Sequence, residues 1–274
     1  MRPEQPARVT RGAAHLQAAH PDWEWRRPKI ATEAVLLTAH TPALLHRLQQ
    51  PGDIDDDTPH FPGIYDHARR AVGAALDAAE AALAGALAFS LMRPPGHHCT
   101  RSQAMGFCYL NQIAIAALHV ASSGRRVAVW DFDAHHGNGT EDILRGQPGL
   151  LFASVHQHPG YPGTGTTNFA NCYNFPVDPH SPREAHLLAL ALSLEAVLDF
   201  NPDLVLVSAG FDAYARDPIT AMTLEAPDFA RLGRWLRQSG RPAAAILEGG
   251  YSPDLPVLMD AFLSAWDNPT PPPV

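Results

Sequence analysis

The segment "VAVWDFDAHHGNGT" (residues 127–140) decides the fold class, because it begins as an apolar strand and ends in acids, histidines and glycines. Successive side chains of a strand point to opposite faces. The alternation puts Val127, Val129, Asp131 and Asp133 on one face, and Ala128, Trp130 and Phe132 on the other. Two buried carboxylates cost several kcal/mol each unless a metal or hydrogen bonds compensate their charge. The segment therefore predicts a buried strand that leads into a site where the acids are neutralised.

Other apolar runs of strand length predict the rest of a sheet. They cover residues 87–92, 150–155, 203–209 and 243–248. A helical segment at 63–85 precedes the first run, and another at 181–200 lies between the runs at 150–155 and 203–209. Ser181, Pro182 and Glu184 predict a capping box at the start of the second helix. Strands that alternate with helices indicate a single α/β domain with a mostly parallel sheet flanked by helices. We expect this domain at residues 1–266 and a flexible tail at 267–274.

Polar residues follow all five predicted strands. The segments are "PPGHH" (94–98), "DAHHGNG" (133–139), "HQHPGY" (156–161), "GFD" (210–212) and "GGY" (249–251). Open parallel sheets bind ligands beyond the carboxyl ends of their strands. The sequence therefore predicts that these segments converge on one crevice, which favours an enzyme.

Composition excludes several functional classes. The net charge is −8 and no Lys/Arg block occurs, which argues against a nucleic-acid groove. The sequence shows neither a long apolar stretch nor a signal peptide, so we expect a cytoplasmic enzyme without a membrane anchor. The cysteines Cys99, Cys108 and Cys172 are odd in number and lack metal-ligand spacing, which indicates reduced thiols.

Asp133, His135 and Asp212 form a candidate metal site. Asp133 and His135 share one side of the second strand end, and Asp212 comes from the fourth. A single residue of this kind is more often a helix cap or a hydrogen-bonded polar side chain. One imidazole and two carboxylates together favour a catalytic zinc site with an open position for water.

The motifs in their order resemble the zinc-dependent histone deacetylase family, including its histone deacetylase-like amidohydrolase and acetylpolyamine amidohydrolase branches. They are "RPPGHH" (93–98), "GFCYLN" (106–111), "DFDAHHGNGT" (131–140), "YPGTG" (161–165), "SAGFDA" (208–213) and "LEGGY" (247–251). The resemblance runs from about residue 3 to about residue 265. It implies an arginase/deacetylase-like fold with the active site at the carboxyl ends of the strands.

The resemblance also implies a role for each matching residue. It assigns zinc, with iron(II) as an alternative, to Asp133, His135 and Asp212, and a structural potassium ion to Asp131, Asp133, His135, Ser154 and Val155. It assigns catalysis to His98 as proton shuttle, His97 with its partner Asp131, Tyr251, and Asn138 beside His98. Asparagine at this last position is typical of the class II-like side of the family. It assigns the substrate tunnel and rim to Gly106, Phe107, Tyr161, Asp57, Ile219, Gly249 and Gly250.

The implied activity is removal of acetyl or other short acyl groups from acyl-lysine or small acylated amines. The alternatives are an acetylpolyamine amidohydrolase, a catalytically silent acyl-amine binding protein and an arginase-like ureohydrolase. Asp53, Asp55 and Asp56, with Asp57, favour a cationic substrate, whereas Ile219 stands where a polyamine-selective relative has glutamate. A two-metal ureohydrolase needs a second carboxylate close to Asp212, and "SAGFDAY" (208–214) offers none.

In relatives, a further strand and loop precede the segment that matches "RPEQPARV" (2–9) in this chain. We therefore expect that first strand to be missing and one sheet edge to be exposed. An exposed edge favours pairing with a second chain, so a homo-oligomer is expected.

Overall fold

Six parallel strands form one sheet in the computed structural model, which describes residues 2–268. The strands are β1 (Ala88–Ser90), β2 (Val127–Asp131), β3 (Leu150–Gln157), β4 (Cys172–Val177), β5 (Leu204–Ala209) and β6 (Ala243–Leu247). Their order across the sheet is β1-β6-β5-β2-β3-β4, and every neighbouring pair is parallel. The predicted α/β class is therefore confirmed.

Helices cover both faces of the sheet. They are α1 (Ala7–Ala19), α2 (Glu33–Leu36), α3 (Pro42–Leu48), α4 (Ile64–Leu83), α5 (Gln112–Ala121), α6 (Asn138–Leu144), α7 (Arg183–Asp199), α8 (Ala226–Gln238) and α9 (Leu255–Asp267). Within the described chain, no helix is both long and apolar enough to cross a membrane.

Strand β2 divides the core as its alternation predicts. Val127 and Val129 pack with the apolar residues of α4 and α5, whereas Trp130 packs on the opposite face with α7, α8 and α9. The indole of Trp130 also donates a 2.9 Å hydrogen bond to Ser193 of α7. Because both faces of β2 are buried, its polar carboxyl end has to be matched by other polar groups.

Strand β4 is missing from the sequence prediction. It carries two residues uncommon in strands, Asn174 and Pro176, which hide its apolar pattern. Proline cannot donate a hydrogen bond to a neighbouring strand and is therefore confined to edges. β4 is such an edge, and among residues 2–268 it pairs only with β3.

Two local expectations also need correction. The capping box at Ser181 does not form, because α7 begins at Arg183 and its N-cap, Pro182, makes no side-chain cap. Of the predicted tail 267–274, Asp267 is the last residue of α9, and residues 269–274 lie outside the described residues. The three cysteines are free and buried, in agreement with the expected reduced thiols.

Candidate active site

Asp133, His135 and Asp212 come together at the carboxyl ends of two adjacent strands. Asp133 follows β2 and Asp212 follows β5, and these strands pair directly. The Nδ1 atom of His135 lies 3.1 Å from Oδ1 of Asp133 and 3.0 Å from Oδ2 of Asp212. One ligand atom from each residue lies within 4.8 Å of the others. The three residues predicted to bind a metal therefore form one cluster.

Backbone N–H groups hold the two carboxylates in place. Gly249 donates its N–H to Oδ2 of Asp133 at 2.7 Å, and Ala134 donates to Oδ1 of Asp212 at 2.8 Å. A Cβ atom on Gly249 would lie 2.2 Å from Oδ2 of Asp212, so only glycine allows this approach. The segment that precedes Tyr251 thus reaches the metal-binding candidates directly, as the sequence predicts.

The charges of this cluster fit a cation. Burial tends to raise the pKa of both acids, but His97 and His135 reverse this for Asp133, whose pKa is lowered. For Asp212, burial and the charge of Asp133 outweigh the effect of His135 and raise the pKa. Two buried carboxylates and one imidazole are a donor set suited to a divalent transition metal. The residues present therefore fit the predicted metal.

His97 pairs with Asp131. Its Nδ1 lies 3.0 Å from Oδ2 of Asp131, and its Nε2 lies 3.7 Å from Oδ1 of Asp133. Burial alone would lower the pKa of His97, but the charges of Asp133 and Asp131 outweigh burial and raise the pKa to about 10. The two carboxylates therefore favour the charged form of His97.

His98 lies beside His97 but in a different environment. Its Nδ1 is 2.8 Å from Oδ1 of Asn138, and its ring centroid is 4.0 Å from that of His97. Burial and the positive charges of His97 and His135 lower the pKa of His98 well below its ordinary value. An amide oxygen can only accept, so Nδ1 of His98 carries the proton and Nε2 is left as a base.

Tyr251 lies close to one predicted aromatic wall. Its ring centroid is 5.6 Å from that of Phe107. The guanidinium of Arg8 lies 4.7 Å from the Tyr251 ring centroid, on the ring face. Burial raises the pKa of Tyr251 well above its ordinary value, although Arg8 opposes this. The hydroxyl therefore stays protonated and is able to donate a hydrogen bond.

Comparison with known proteins identifies the family. A family model described as "Histone deacetylase domain" matches residues 2–265. The chain belongs to the histone deacetylase family. It is 37% identical to the "Histone deacetylase-like amidohydrolase" of Pseudomonas aeruginosa over 81% of this chain and 64% of that relative. It is 32% identical to the "Acetylpolyamine amidohydrolase" of Mycoplana ramosa over 87% of this chain and 76% of that relative.

A solved structure supports the same assignment for the fold. The "HDA15 HD domain" superimposes with a TM-score of 0.90 at 30% identity, covering 97% of this chain and 84% of that chain. Histone deacetylase relatives therefore match both the sequence and the strand arrangement of this protein.

One of the two predicted aromatic residues of this histone deacetylase family member lies beside the tandem histidines. Tyr161 meets His98 edge-on at 5.0 Å between ring centroids, whereas the ring of Phe107 lies beside Tyr251. A Cβ atom on Gly106 would lie 2.8 Å from Cδ2 of His98 and 2.9 Å from the hydroxyl oxygen of Tyr161. Gly106 therefore allows Tyr161 to approach His98 closely.

The predicted rim residues lie on two exposed segments. Asp57 is exposed, and its neighbour Thr58 accepts a 3.3 Å hydrogen bond from the N–H of Phe107. Ile219 is 38% exposed, and its N–H donates to Asp217 at 3.2 Å. The first segment thus contacts Phe107, one of the predicted tunnel walls, directly.

Of the residues predicted to hold potassium, Asp133 and His135 belong to the metal cluster itself, and the others come from β2 and β3. Asp131 of β2 and Ser154 of β3 are partners in the strand register, and Val155 follows. The hydroxyl of Ser154 lies 2.9 Å from Nδ1 of His156, and Oδ1 of Asp131 accepts from the N–H of Asp133 at 3.1 Å. These groups are buried and adjacent.

Sequence reasoning missed two buried acids at the site. Oε2 of Glu248 accepts from the N–H groups of Gly96 and His97 at 2.6 and 3.2 Å, and burial raises the pKa of Glu248 to about 7. Asp217 accepts from the N–H of Tyr251 at 2.7 Å. The available signals were an acid at the end of the apolar run 243–248 and the acid of "RDP" (216–218).

Proposed function

We propose that this protein is a zinc-dependent amidohydrolase that removes acetyl or other short acyl groups from acyl-lysine or small acylated amines. The observation that carries the proposal is the Asp133–His135–Asp212 cluster beside a histidine pair with unlike partners, because His97 lies 3.0 Å from Asp131 and His98 lies 2.8 Å from Asn138. Relatives named as deacetylases and amidohydrolases support amide hydrolysis as the reaction. None of the residues required for catalysis is replaced, which argues against a silent binding protein.

Asp133, His135 and Asp212 are proposed to hold zinc, with iron(II) as the alternative. Bound at these residues, the metal supplies a Lewis acid for the amide carbonyl and lowers the pKa of water. Potassium is proposed at Asp131, Asp133, His135, Ser154 and Val155, supported by the burial of the first two and last two and by the pairing of Asp131 with Ser154. An arginase-like reaction is not supported, because the described residues contain a single cluster of three potential metal ligands.

His98 is proposed to move the proton. Its Nδ1–H donates to Asn138, so Nε2 is free to accept a proton from water and to pass it to the leaving amine. The low pKa of His98 keeps the ring neutral before the reaction. His97 remains charged beside it and stabilises the negative charge that develops during attack.

Tyr251 is proposed to donate a hydrogen bond to the carbonyl oxygen of the scissile amide. Its raised pKa keeps this donor protonated across the neutral range. A fixed donor aimed at a developing oxyanion contributes about 100-fold to 1000-fold in rate. His98 and Tyr251 thus act on different atoms of the same amide.

Substrate choice depends on the rim. Phe107 and Tyr161 provide apolar walls for the acyl-bearing chain, and the acids around Asp57 favour a cationic amine end. Ile219 has no charge for a distant ammonium group, which favours acyl-lysine and small acylated amines over polyamines. The polyamine alternative stays open, because relatives named acetylpolyamine amidohydrolase are 32% and 36% identical.

Location and assembly are also part of the proposal. Buried free cysteines are consistent with a reducing cytoplasm. β1 pairs only with β6 within the described chain, so its outer edge is open to a second copy.

The test is turnover of acetyl-lysine peptides, longer acyl-lysines, acetylputrescine and acetylspermidine by the zinc-loaded protein, the metal-stripped protein and Tyr251→Phe. We expect hydrolysis by the zinc form, loss on stripping, and a fall in kcat of about 100-fold or more in Tyr251→Phe. Tyr173→Phe on the edge strand β4 removes the same hydroxyl away from the site and should retain activity. Turnover by the metal-free protein, or none on any amide, would contradict the proposal.

A further inference from the structure

Asp217 is a buried acid whose carboxylate is used almost entirely by backbone N–H groups. Its side chain is 6% exposed. Oδ2 accepts from the N–H of Tyr251 at 2.7 Å and from the N–H of Ser252 at 3.2 Å, and Oδ1 accepts from the N–H of Ile219 at 3.2 Å. One carboxylate therefore connects the backbone of the rim segment at Ile219 to the backbone of Tyr251.

The buried position of Asp217 lowers the stability of the fold. Burial and the charge of Asp212 raise the pKa of Asp217 to about 7, and the three N–H groups oppose this shift. Among the ion pairs of residues 2–268, none includes Asp217. A buried acid without a cation is destabilising unless hydrogen bonds offset its desolvation. The presence of Asp217 is therefore better explained by the backbone groups that it positions than by a contribution to the stability of the fold.

The Tyr251 backbone is held from the opposite side by Arg8. The guanidinium of Arg8 donates from Nε to the carbonyl of Gly250 at 2.7 Å. The two peptide groups that flank the Cα of Gly250 are further tied, because Phe211 donates to the carbonyl of Gly249 at 3.1 Å. Asp217 accepts from the N–H group of Tyr251 itself. This group is attached to the Cα atom of Tyr251, from which the tyrosine side chain extends.

We propose that Asp217 is a positioning residue that fixes Tyr251 for the transition state and ties it to the rim at Ile219. This inference rests on the proposed function, in which the Tyr251 hydroxyl donates to the scissile carbonyl. Displacement of a reacting group by about 1 Å costs about 100-fold in rate. Loss of the acceptor for the Tyr251 N–H therefore acts on kcat, whereas Phe107 and Tyr161, the proposed walls for the bound acyl chain, are not among the hydrogen-bond partners of Asp217 in the described residues.

Asp217→Asn changes the chemistry with little change in size. Its amide has one acceptor and one donor side, so either Ile219 or the Tyr251–Ser252 pair faces an N–H instead of an oxygen. Asp254→Asn is the matched control, since this acid lies on the loop that carries Tyr251 but accepts from the hydroxyl of Tyr214 at 2.9 Å. It makes no contact with the Tyr251 backbone among the hydrogen bonds of the described residues.

The experiment compares kcat and KM of the zinc-loaded wild type, Asp217→Asn, Tyr251→Phe and the double variant on one acetylated amine. We expect kcat of Asp217→Asn to fall about 10-fold to 100-fold with KM within about threefold. In the Tyr251→Phe background the same change should cost less than about threefold, because the hydroxyl it positions is gone. Zinc per chain should equal that of the wild type, and Asp254→Asn should keep wild-type kcat.

Several outcomes would overturn the inference. An equal loss in both backgrounds would show a role independent of the hydroxyl, and reduced zinc content would show an effect through Asp212. If Asp217→Asn folds poorly by near-ultraviolet circular dichroism, Asp217→Glu replaces it in the experiment. The longer side chain shifts the carboxylate, so Asp217→Glu should lower kcat in the chain that has the Tyr251 hydroxyl and leave kcat unchanged in the Tyr251→Phe background. Absence of turnover in the wild type would refute the proposed function and this inference together, whereas wild-type turnover with unaltered Asp217→Asn would refute the inference alone.

Discussion

Asn138→Asp tests whether an uncharged partner sets the basicity of His98. Oδ1 of Asn138 lies 2.8 Å from Nδ1 of His98, so the substitution places a negative charge against the ring with almost no change in volume. Two unit charges about 4 Å apart interact by about 4 kcal/mol at an effective dielectric constant of about 20. One pKa unit corresponds to about 1.4 kcal/mol, so the pKa of His98 should rise by about 1–3 units.

The sign follows from the role of His98 as a base. His98 must be unprotonated to accept a proton, and its pKa in the wild type is lowered well below the ordinary value. Raising this pKa makes the ring take up a proton at higher pH. The acidic limb of kcat/KM should therefore move toward higher pH by about 1–3 units. Above the new limb the stronger base should keep or increase the rate.

The assay is the pH profile of kcat/KM on an acetylated amine with the zinc-loaded protein. Asn201→Asp serves as the control, since Asn201 follows α7 just before β5 and thus lies at the opposite end of the sheet from the site. An acidic limb that stays in place, or that moves to lower pH, would show that Asn138 does not set the pKa of the base.

Two further substitutions test the metal cluster and the packing of α1. Gly249→Ala places a methyl group 2.2 Å from Oδ2 of Asp212, so the zinc content per chain should fall, and full zinc occupancy in this variant would contradict the proposed ligand set. Asp260→Asn weakens two 2.8 Å bonds to His15 and His20 and should lower Tm at pH 7 by about 2 °C, for a loss of about 1 kcal/mol. The pKa of Asp260 is lowered in the fold, so its stabilisation is present above its ordinary pKa of 3.8 and is lost as pH falls below it. Calorimetry should therefore show the wild type and variant converging in acid, and a constant difference would contradict this reading.

Local sequence patterns predicted most of the sheet because both strand faces are buried. The alternation in 127–133 assigned Val127 and Trp130 to opposite cores, and both assignments are confirmed. The same patterns missed β4, where Pro176 is compatible with an edge strand alone. They also misplaced the start of α7, because Ser181 and Glu184 fit a capping box that the backbone does not form.

The sequence by itself determined which residue types meet at the site, since the carboxyl ends of parallel strands share one edge of the sheet. It placed Asp133, His135 and Asp212 together, and the structure brings them within 4.8 Å. The family resemblance already paired His97 with Asp131 and His98 with Asn138. The tertiary structure alone decided the opposite directions of the two histidine pKa shifts and the partners of the buried acids Glu248 and Asp217. Asp131 and Asn138 are 34 and 40 residues from their histidines, and Asp217 is 34 residues from Tyr251. Hydrogen bonds over such separations, and the desolvation that shifts each pKa, depend on how the loops pack above the sheet.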